Sequence, residues 1–419
     1  MLSKKVLLSA LLIAGALTVN AQTSSNSPYT RYGLGDLSDR AFSNNAAMGG
    51  IGYALRNSKQ INTMNPASYS AVDSLSFMFD LGMSLKSSNF RENDITAKAK
   101  NSSFDYIAMQ FRLHPRLGLA VGFTPYSTVG YNFTISKPVE GIENTTSTNI
   151  YSGEGGLQQV FGGLGFKILD NLSIGANFGY LYGNIDYETQ VGFNVTADQT
   201  ITYSKIKVNS FTANFGLQYT QKISKEDNLT LGLTYELGHD LNSSEEKGIQ
   251  VTDNSSYISS SSSTINDSYG IPDIYGVGIA YNRKRNLTIG ADYTLQKWSN
   301  VKYNNQTDAY KDRSKIAVGA EFLPNPIGRN YFKRIRYRAG AYYSTPYLKL
   351  GEMNGPSEYG ISAGFGFPLF LFQKSTILNI TGQYVHVNPS ISNMLSENRF
   401  VLKLGLTFNE HWFMKWKVN

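Results

Sequence analysis

From about Ser74 to Phe408 the chain repeats segments of roughly ten residues in which apolar and polar side chains alternate. Between Leu287 and Gln296, for example, every second residue is apolar and most of the residues between them are polar. Because successive side chains of a β-strand point to opposite faces, this pattern predicts strands with one apolar face each. That face could pack on a soluble core or lie against lipid.

Alternation and turn residues together predict about fourteen strands. They lie near 75–85, 104–113, 117–126, 157–168, 172–183, 203–222, 228–239, 271–282, 286–298, 313–323, 334–346, 358–371, 376–387 and 398–408. The gaps between them are alternately short, as at 114–116, and long, as at 127–156 and 240–270. A hairpin meander of an outer-membrane barrel has this spacing, whereas a soluble barrel of that size would enclose a void. We therefore predict an all-β, transmembrane antiparallel β-barrel.

All three tryptophans fall at predicted membrane boundaries. Trp298 ends the ninth predicted strand, and Trp412 and Trp416 follow the last one. Indole rings favour the membrane interface because the ring is apolar and its N–H stays hydrated. This placement supports a lipid-facing barrel, and the alternative is that the three are ordinary core residues.

The first 21 residues predict a secretory signal peptide. Lys4 and Lys5 precede an apolar run at 6–19, which is short for a membrane helix, and small residues follow before Gln22. The chain is therefore expected to be exported to the outer membrane of a Gram-negative cell. It contains no cysteine, which excludes disulfides and thiolate metal sites. Its formal charge of +7 is not grouped with aromatic residues, so nucleic-acid binding is not indicated.

Residues 22–73 do not alternate and contain no segment long enough to span a membrane as a strand. Irregular backbone is tolerated at membrane depth only inside protein or along a water-filled cavity. We therefore predict three parts: a signal peptide at 1–21, a plug at 22–73 and the barrel at 74–419.

The plug contains a run rich in glycine and alanine, Asn45 to Leu55, followed by Asn65-Pro66-Ala67. This run, the motif and their position before the first strand resemble the N-terminal hatch of FadL/TodX-type outer-membrane transporters of long-chain fatty acids and other hydrophobic molecules. The resemblance implies a fourteen-stranded barrel, which takes up a hydrophobic ligand passively and releases it sideways into the membrane. Its hatch residues would include apolar ligand contacts and the turn of the motif, here Met48, Ile51, Tyr53, Leu55, Met64, Asn65 and Pro66. No cofactor is expected.

In that family the sideways exit is made by a kink in an early strand, and Thr124-Pro125 in the third predicted strand is the candidate here. Proline lacks an N–H and interrupts a strand ladder. The alternative is that Pro125 only ends the strand at its outer rim.

Charged residues of both signs fall on the polar phase of the predicted strands. The candidates for paired lumen charges are Asp292, Glu321, Arg334, Arg336 and Arg338. We interpret them as ion pairs that hold the plug or the wall, and the alternative is a docking site for an anion or a carboxylate.

Two functions remain open from the sequence. The first is a passive transporter of hydrophobic small molecules. The second is a non-transporting barrel that serves as a subunit of an outer-membrane secretion or assembly complex, because the polar, serine-rich loop at 240–270 is unlike an apolar collecting loop. The expected partners are outer-membrane lipid, lipopolysaccharide, a hydrophobic ligand and, in the second case, other proteins. Catalysis is not expected, because His239-Asp240 has no evident nucleophile partner.

Overall fold

The computed structural model describes residues 25–74, 76–194, 198–253, 256–284, 286–369, 376–391 and 394–411. The predicted signal peptide, Trp412 and Trp416 lie outside the described residues. Among the described residues, no helix is both long enough and apolar enough to cross a membrane.

Fourteen antiparallel strands form a closed barrel, which confirms the predicted fold. The strands are β1 (Ser76–Glu92), β2 (Ile95–His114), β3 (Leu117–Pro138), β4 (Thr146–Lys167), β5 (Leu172–Phe193), β6 (Gln199–Lys222), β7 (Asp227–Glu236), β8 (Ile274–Arg283), β9 (Leu287–Gln296), β10 (Arg313–Phe322), β11 (Arg336–Ser344), β12 (Ser357–Leu369), β13 (Thr376–Asn388) and β14 (Ser396–His411). Each pairs with the next along the chain, and β1 also pairs with β14 from Ser76↔His411 to Arg91↔Ser396. This last pairing closes the sheet.

The apolar face of the alternation is the outer face of the barrel. Leu231, Leu233, Val277 and Ile279 are all more than two-fifths exposed, whereas their inward neighbours Thr230 and Ala280 are buried. An outward apolar face and a polar lumen are the arrangement of an outer-membrane-type barrel.

Strands β1 to β5 are much longer than predicted, whereas β6 only begins slightly earlier, at Gln199 rather than near 203. β1 continues past residue 85 to Glu92, and β4 begins at Thr146 rather than near 157. The predicted long loops at 86–103, 127–156 and 184–202 are therefore mostly strand. Beyond the predicted strand ends the outward residues become polar, as at Lys98 and Thr134, so the apolar alternation ends although backbone pairing continues.

The polar loop at 240–270 is also largely strand. Ser243–Asp253 and Ser256–Asn266 form a hairpin, and its first strand pairs with the upper part of β6 from Ser243↔Val208 to Thr252↔Gln199. Two further pairs of short strands lie in the loops. His239–Asp240 pairs with Gly270–Ile271 next to this hairpin, and Lys349–Leu350 pairs with Met353–Asn354 between β11 and β12.

The residues before β1 contain little regular structure. They comprise a 3-10 helix at Pro28–Arg31, a two-residue strand at Asp36–Leu37, an α-helical turn at Ser43–Ala46 and a 3-10 helix at Pro66–Ala71. We call residues 25–74 the N-terminal segment. Two further 3-10 helices, Trp298–Asn300 and Tyr331–Arg334, lie between barrel strands.

The expectation that Trp298 lies at a membrane boundary is wrong. Its side chain is only 1% exposed and packs on Tyr310 and Tyr347, with ring centroids 5.1 and 4.8 Å away. Its indole N–H donates to Gln296 at 2.7 Å. An aromatic cluster of the connecting loops, rather than lipid, therefore surrounds it.

Candidate functional site: the lumen and a break in its wall

Inward-facing glycines allow the N-terminal segment to lie directly on the barrel wall. Gly290, Gly319 and Gly340 are cross-strand neighbours on β9, β10 and β11. A Cβ at Gly319 would lie 2.1 Å from the Met48 carbonyl oxygen, and one at Gly340 would lie 2.1 Å from the Met48 carbonyl carbon. No side chain fits there, so the wall is contoured to the backbone of the segment.

A second run of paired glycines crosses β3 to β6, at Gly118, Gly165, Gly175 and Gly216. Here the missing Cβ atoms would meet Tyr69, Pro66 and Asn65 of the N-terminal segment, all at 2.5 Å or less. The segment therefore packs closely on both sides of the lumen.

Polar side chains bind the backbone of the segment. Asp292 accepts hydrogen bonds from the N–H groups of Gly52 and Tyr53, at 2.6 and 2.9 Å. Asn65 accepts from the Ala67 N–H at 3.1 Å, which caps the 3-10 helix that begins at Pro66, and donates to the Tyr53 carbonyl at 2.8 Å. These contacts fix the two halves of the segment to each other and to β9.

The five apolar residues expected to contact a ligand separate into two groups. Met48 and Ile51 are 3% and 1% exposed and pack against the wall near Ala317, with Leu55 beside them. Of the five, only Tyr53 and Met64 line a cavity of about 540 Å³ inside the barrel, which we call the central cavity. The tight approach at the glycines takes Met48 and Ile51 out of reach of a ligand in that cavity.

Three of the five predicted lumen charges, Glu321, Arg336 and Arg338, form an ion-pair group, whereas Asp292 accepts hydrogen bonds from backbone N–H groups. Glu321 accepts from Arg336 at 2.6 Å and from Arg338 at 2.7 Å, and Arg338 also donates to Asn379 at 2.7 Å. Arg334 does not share this position, because it lies in the 3-10 helix before β11, over the Tyr331 ring. Both oxygens of Glu321 are thus occupied, and the group is away from the central cavity.

From Arg338 a hydrogen-bond network runs around the lumen to the N-terminal segment. Asn379 donates to Thr407, and Thr407 donates to Asp80 at 2.9 Å. Asp80 also accepts from the Tyr106 hydroxyl, whose oxygen accepts from the Ser43 N–H at 3.2 Å. The network joins β13, β14, β1 and β2 to the helical turn at Ser43–Ala46.

A charged stretch of the N-terminal segment, Asp36–Arg40, crosses the lumen, and we call it the crossing segment. Asp36 pairs with Arg399 at 3.1 Å and Lys86 at 3.6 Å. Asp39 lies 3.8 Å from Lys315 and 3.9 Å from Lys403, and Arg40 pairs with Glu236. Five ion pairs therefore connect it to β1, β7, β10 and β14.

The carboxyls of the crossing segment are held in their charged form. Burial alone would raise the pKa of Asp36, but Arg399 and Lys86 hold it below its ordinary value. Burial likewise opposes ionisation of Asp39, and Lys315 and Lys403 lower its pKa. These pairings could not be predicted from the sequence, since each joins residues that are far apart along the chain.

The wall of the barrel is interrupted between β2 and β3. Their pairing ends at Ile107↔Phe123, and beyond it the described part of β2, Ile95–Tyr106, pairs only with β1. The rest of β3, from Thr124 to Pro138, pairs on its other side with β4, with a register shift between Pro125 and Ser127. We call this interruption the wall break, and the candidate residues Thr124 and Pro125 lie at its lower end.

The N-terminal segment covers the β3 side of the wall break. Asp36 and Leu37 pair with Thr128 and Ser127, and the Ser38 N–H donates to the Tyr126 carbonyl at 3.0 Å. Farther along the same edge, the Gly130 N–H donates to the Thr30 hydroxyl at 3.2 Å. The crossing segment therefore both pairs with the free edge of β3 and carries the lumen ion pairs.

The central cavity, of about 540 Å³, reaches the wall break. At the wall break it is lined by Phe104, Phe123, Pro125 and Tyr126, and the Phe104 and Phe123 rings are 6.1 Å apart. Its other walls carry the crossing segment and its cationic partners. The cavity is thus aromatic at the wall break and ionic inside.

Two tyrosines, one on β5 and one in the loop between β11 and β12, hold the turn that precedes the crossing segment. Gly33 and Gly35 have φ angles of +66° and +90°, which favour glycine. The Tyr187 hydroxyl donates to the Gly33 carbonyl at 3.1 Å, and the Tyr347 hydroxyl donates to the Gly35 carbonyl at 2.9 Å. A barrel strand and a loop thus together fix the position from which the crossing segment starts.

The histidine considered for catalysis does have a hydroxyl neighbour. His239 Nε2 lies 3.1 Å from the Ser210 Oγ, a contact that the sequence did not reveal. Among the described residues Nδ1 of His239 has no hydrogen-bond partner, so no carboxylate orients the ring. Neither residue lines the cavity, and the pair lacks the arrangement of a catalytic triad.

Solved structures of three bacterial proteins have a similar fold. A Pseudomonas aeruginosa FadL homologue is 14% identical, with 90% of this chain and 99% of that chain covered and a TM-score of 0.61. The Ralstonia pickettii toluene transporter TbuX is 14% identical over 89% and 99%, with a TM-score of 0.61. The Pseudomonas putida toluene transporter TodX is 12% identical over 91% and 100%, with a TM-score of 0.60. These similarities confirm the FadL/TodX-type fold.

No curated protein matches the chain. The BamG family model matches residues 1–419, and the chain therefore belongs to the BamG family.

Proposed function

We propose that this BamG-family barrel is an outer-membrane protein that passes small hydrophobic or amphiphilic molecules between its lumen and the bilayer through the wall break. The observation that carries the proposal is the end of β2–β3 pairing at Ile107↔Phe123, at the place where the cavity of about 540 Å³ meets the wall. The structural neighbours TbuX and TodX are described as toluene transporters, which supports the same class of function.

The lining of the cavity bears on the kind of molecule. The aromatic groups at the wall break suit an apolar body, whereas Lys86, Lys315 and Lys403 inside would suit an anionic head. A long-chain fatty acid has both parts and is the substrate that we propose first.

We further propose that the N-terminal segment acts as a hatch through its crossing segment alone. The residues that pack on the glycines, such as Met48, cannot shift without losing close backbone contact. The crossing segment is held instead by side-chain ion pairs and two strand pairings, which can separate without disturbing that packing.

A disulfide between the crossing segment and the edge of β3 tests the hatch. The chain has no cysteine, so Leu37→Cys with Ser127→Cys, a registered pair, adds one defined cross-link. In proteoliposomes, oxidation should slow uptake of a fluorescent fatty acid and a reductant should restore it. The control Thr134→Cys with Ile150→Cys links a registered β3–β4 pair and should leave uptake unchanged. Full uptake by the oxidised Leu37/Ser127 variant would contradict the hatch.

The role of Pro125 is tested separately. Pro125→Thr restores an N–H at the lower end of the wall break and should lengthen the ladder there. We expect slower uptake and an unchanged urea midpoint for unfolding. If uptake is unchanged, Pro125 has no part in the exit route.

The second candidate is a non-transporting subunit of an outer-membrane complex. The BamG family membership and the close packing of the N-terminal segment favour it. Purification in mild detergent separates the two functions. If protein partners co-purify in stoichiometric amounts and uptake does not exceed that of empty liposomes, the protein is a complex subunit and not a transporter.

A further inference from the structure

A concave area lies on the outer surface of five neighbouring strands, β12, β13, β14, β1 and β2, and has a volume of about 860 Å³. Two rows of outward residues in cross-strand register line it. The lower row is Ala363, Gly382, Leu402, Leu85 and Ser102. The upper row is Ile361, Tyr384, Phe400, Ser87 and Lys100.

Small residues between large apolar ones make this surface concave. A Cβ at Gly382 would meet only the Ala363 carbonyl oxygen, at 4.0 Å, so the space above this glycine is open. Phe400 and Ile361 beside it are 60% and 59% exposed. An apolar chain lying over Gly382 would therefore contact side chains on both sides.

Directly above the upper row the outer surface becomes polar. The next residues in register are Tyr359, His386, Asn398, Asn89 and Lys98. Asn398 accepts a hydrogen bond from the Tyr384 hydroxyl at 2.8 Å, and its Oδ1 lies 2.7 Å from Nδ1 of His386. This change from apolar to polar within one row is expected at the level of lipid head groups.

The polar part of this surface carries only positive charge. Arg91, Lys98 and Lys100 face outward on β1 and β2, and all three are exposed. From the lower row to the extracellular ends of these five strands, no described outward position holds Asp or Glu. The ion pairs of the described residues likewise include none of the three cations. Arg91 also donates from Nε to the Asn93 carbonyl at 3.4 Å, within its own hairpin, but no described carboxylate neutralises any of the three cations.

We propose that this surface binds a phosphorylated glycolipid of the outer leaflet, with a phosphate at Lys98 and Lys100 and an acyl chain over Gly382. The three cations match a phosphate, the concave apolar rows match an acyl chain, and the order of the two along the barrel axis matches a lipid in the bilayer. The long strand ends place the site at the extracellular side, which selects the outer leaflet. The proposal does not depend on transport through the lumen.

Native mass spectrometry of the full chain in detergent tests this site, with diphosphorylated lipid A as the probe. Arg91→Gln/Lys98→Gln/Lys100→Gln should lower the affinity by about a hundredfold, since each cation near an anionic lipid contributes roughly fivefold. The charge-matched control is Lys137→Gln/Lys205→Gln/Lys207→Gln, which removes exposed cations of β3 and β6 and should bind as the unchanged protein does. Equal affinities of the two triple variants would overturn the proposal.

Two further measurements separate the phosphate from the acyl chain. Lipid A without its phosphates should bind about as weakly as diphosphorylated lipid A binds to the Arg91/Lys98/Lys100 variant. Gly382→Leu fills the open space and should weaken binding of both lipids. Equal binding of dephosphorylated lipid A, or an equal affinity for phosphatidylglycerol, would overturn the assignment to a phosphorylated glycolipid. Fatty-acid uptake by the triple variant should be unchanged, which distinguishes this site from the lumen route.

Discussion

At the residue scale, inward-facing glycines allow the N-terminal segment to pack closely against the barrel wall. The sequence showed glycines in the strands, where they weaken a ladder, and gave no reason for their positions. In the folded chain Gly319 and Gly340 lie where the backbone of Met48 touches the wall. Their role depends on the segment that fills the lumen and cannot be read from the strands alone.

Gly340→Ala should therefore destabilise the protein or displace the N-terminal segment. The added methyl group would lie 2.1 Å from Met48 and 2.2 Å from the Gly49 nitrogen, and relieving such an overlap costs about 1–3 kcal/mol. Urea unfolding in lipid vesicles and limited proteolysis at residues 41–55 measure the two effects. Gly382→Ala, on the open outer surface, is the matched control, and equal stability of both variants would argue against close packing.

Buried charge gives a second prediction at this scale. The Arg338 side chain is fully buried between Glu321 and Asn379. Arg338→Leu should lower the free energy of unfolding by about 3 kcal/mol, because Glu321 and Asn379 lose a buried partner. The control Arg329→Leu changes an exposed residue and should have little effect on the same urea titration. A shift no larger than that of the control would show that Arg336 alone satisfies Glu321.

At the scale of elements, the sequence located every barrel strand but not its upper end. Alternation reports the membrane-facing part of a strand, because only there must one face be apolar. β3 was predicted to stop near residue 126 and continues to Pro138. The wall break lies in this continuation, so the pairing that defines it could not be predicted, although Pro125 pointed to its lower end.

The crossing segment should loosen in acid. The folded pKa values of Asp36 and Asp39 are lowered below about 3.8, their ordinary value. The stabilisation by their ion pairs is therefore complete above that value and is lost as the pH falls through the folded pKa values. In the Leu37→Cys/Ser127→Cys variant, trapping of the free thiols by an acid-compatible disulfide reagent should become faster below about pH 3.8. Adding Asp36→Asn and Asp39→Asn to this variant should remove the pH dependence. A trapping rate that does not change with pH even when both aspartates are present would contradict the prediction.

At the scale of the whole molecule, the barrel and the N-terminal segment are one electrostatic unit. Lys86, Lys315, Arg399 and Lys403 face the lumen and find carboxylates on the segment that crosses it. An empty lumen would leave these cations without those partners. The cations of the wall therefore hold the crossing segment in the lumen, and its carboxylates neutralise those cations.

Asp36→Asn/Asp39→Asn/Arg40→Gln should make the barrel leak anions. Without its ion pairs the crossing segment is released from four strands, and the exposed cations of the lumen favour chloride over potassium. Planar-bilayer recordings should show brief anion-selective openings that the unchanged protein lacks. The control Glu92→Gln/Asp94→Asn removes two exposed acids at the tip of the β1–β2 hairpin and should stay closed. A closed triple variant would mean that the glycine packing alone seals the lumen.

The sequence by itself determined the local features of this protein. Side-chain alternation defined which residues face outward, and the repeat of that alternation gave the strand number, because each depends only on neighbouring residues. Tertiary structure alone decided which strands lose their partner, which residues of the N-terminal segment reach the cavity, and which charges meet. Asp39 and Lys403 are separated by most of the chain, and no periodic pattern connects them; the closed barrel brings them to 3.9 Å. The ion pairs of the lumen and the concave area on the outer surface therefore follow from closure of the barrel, whereas the strands of its wall were evident in the sequence.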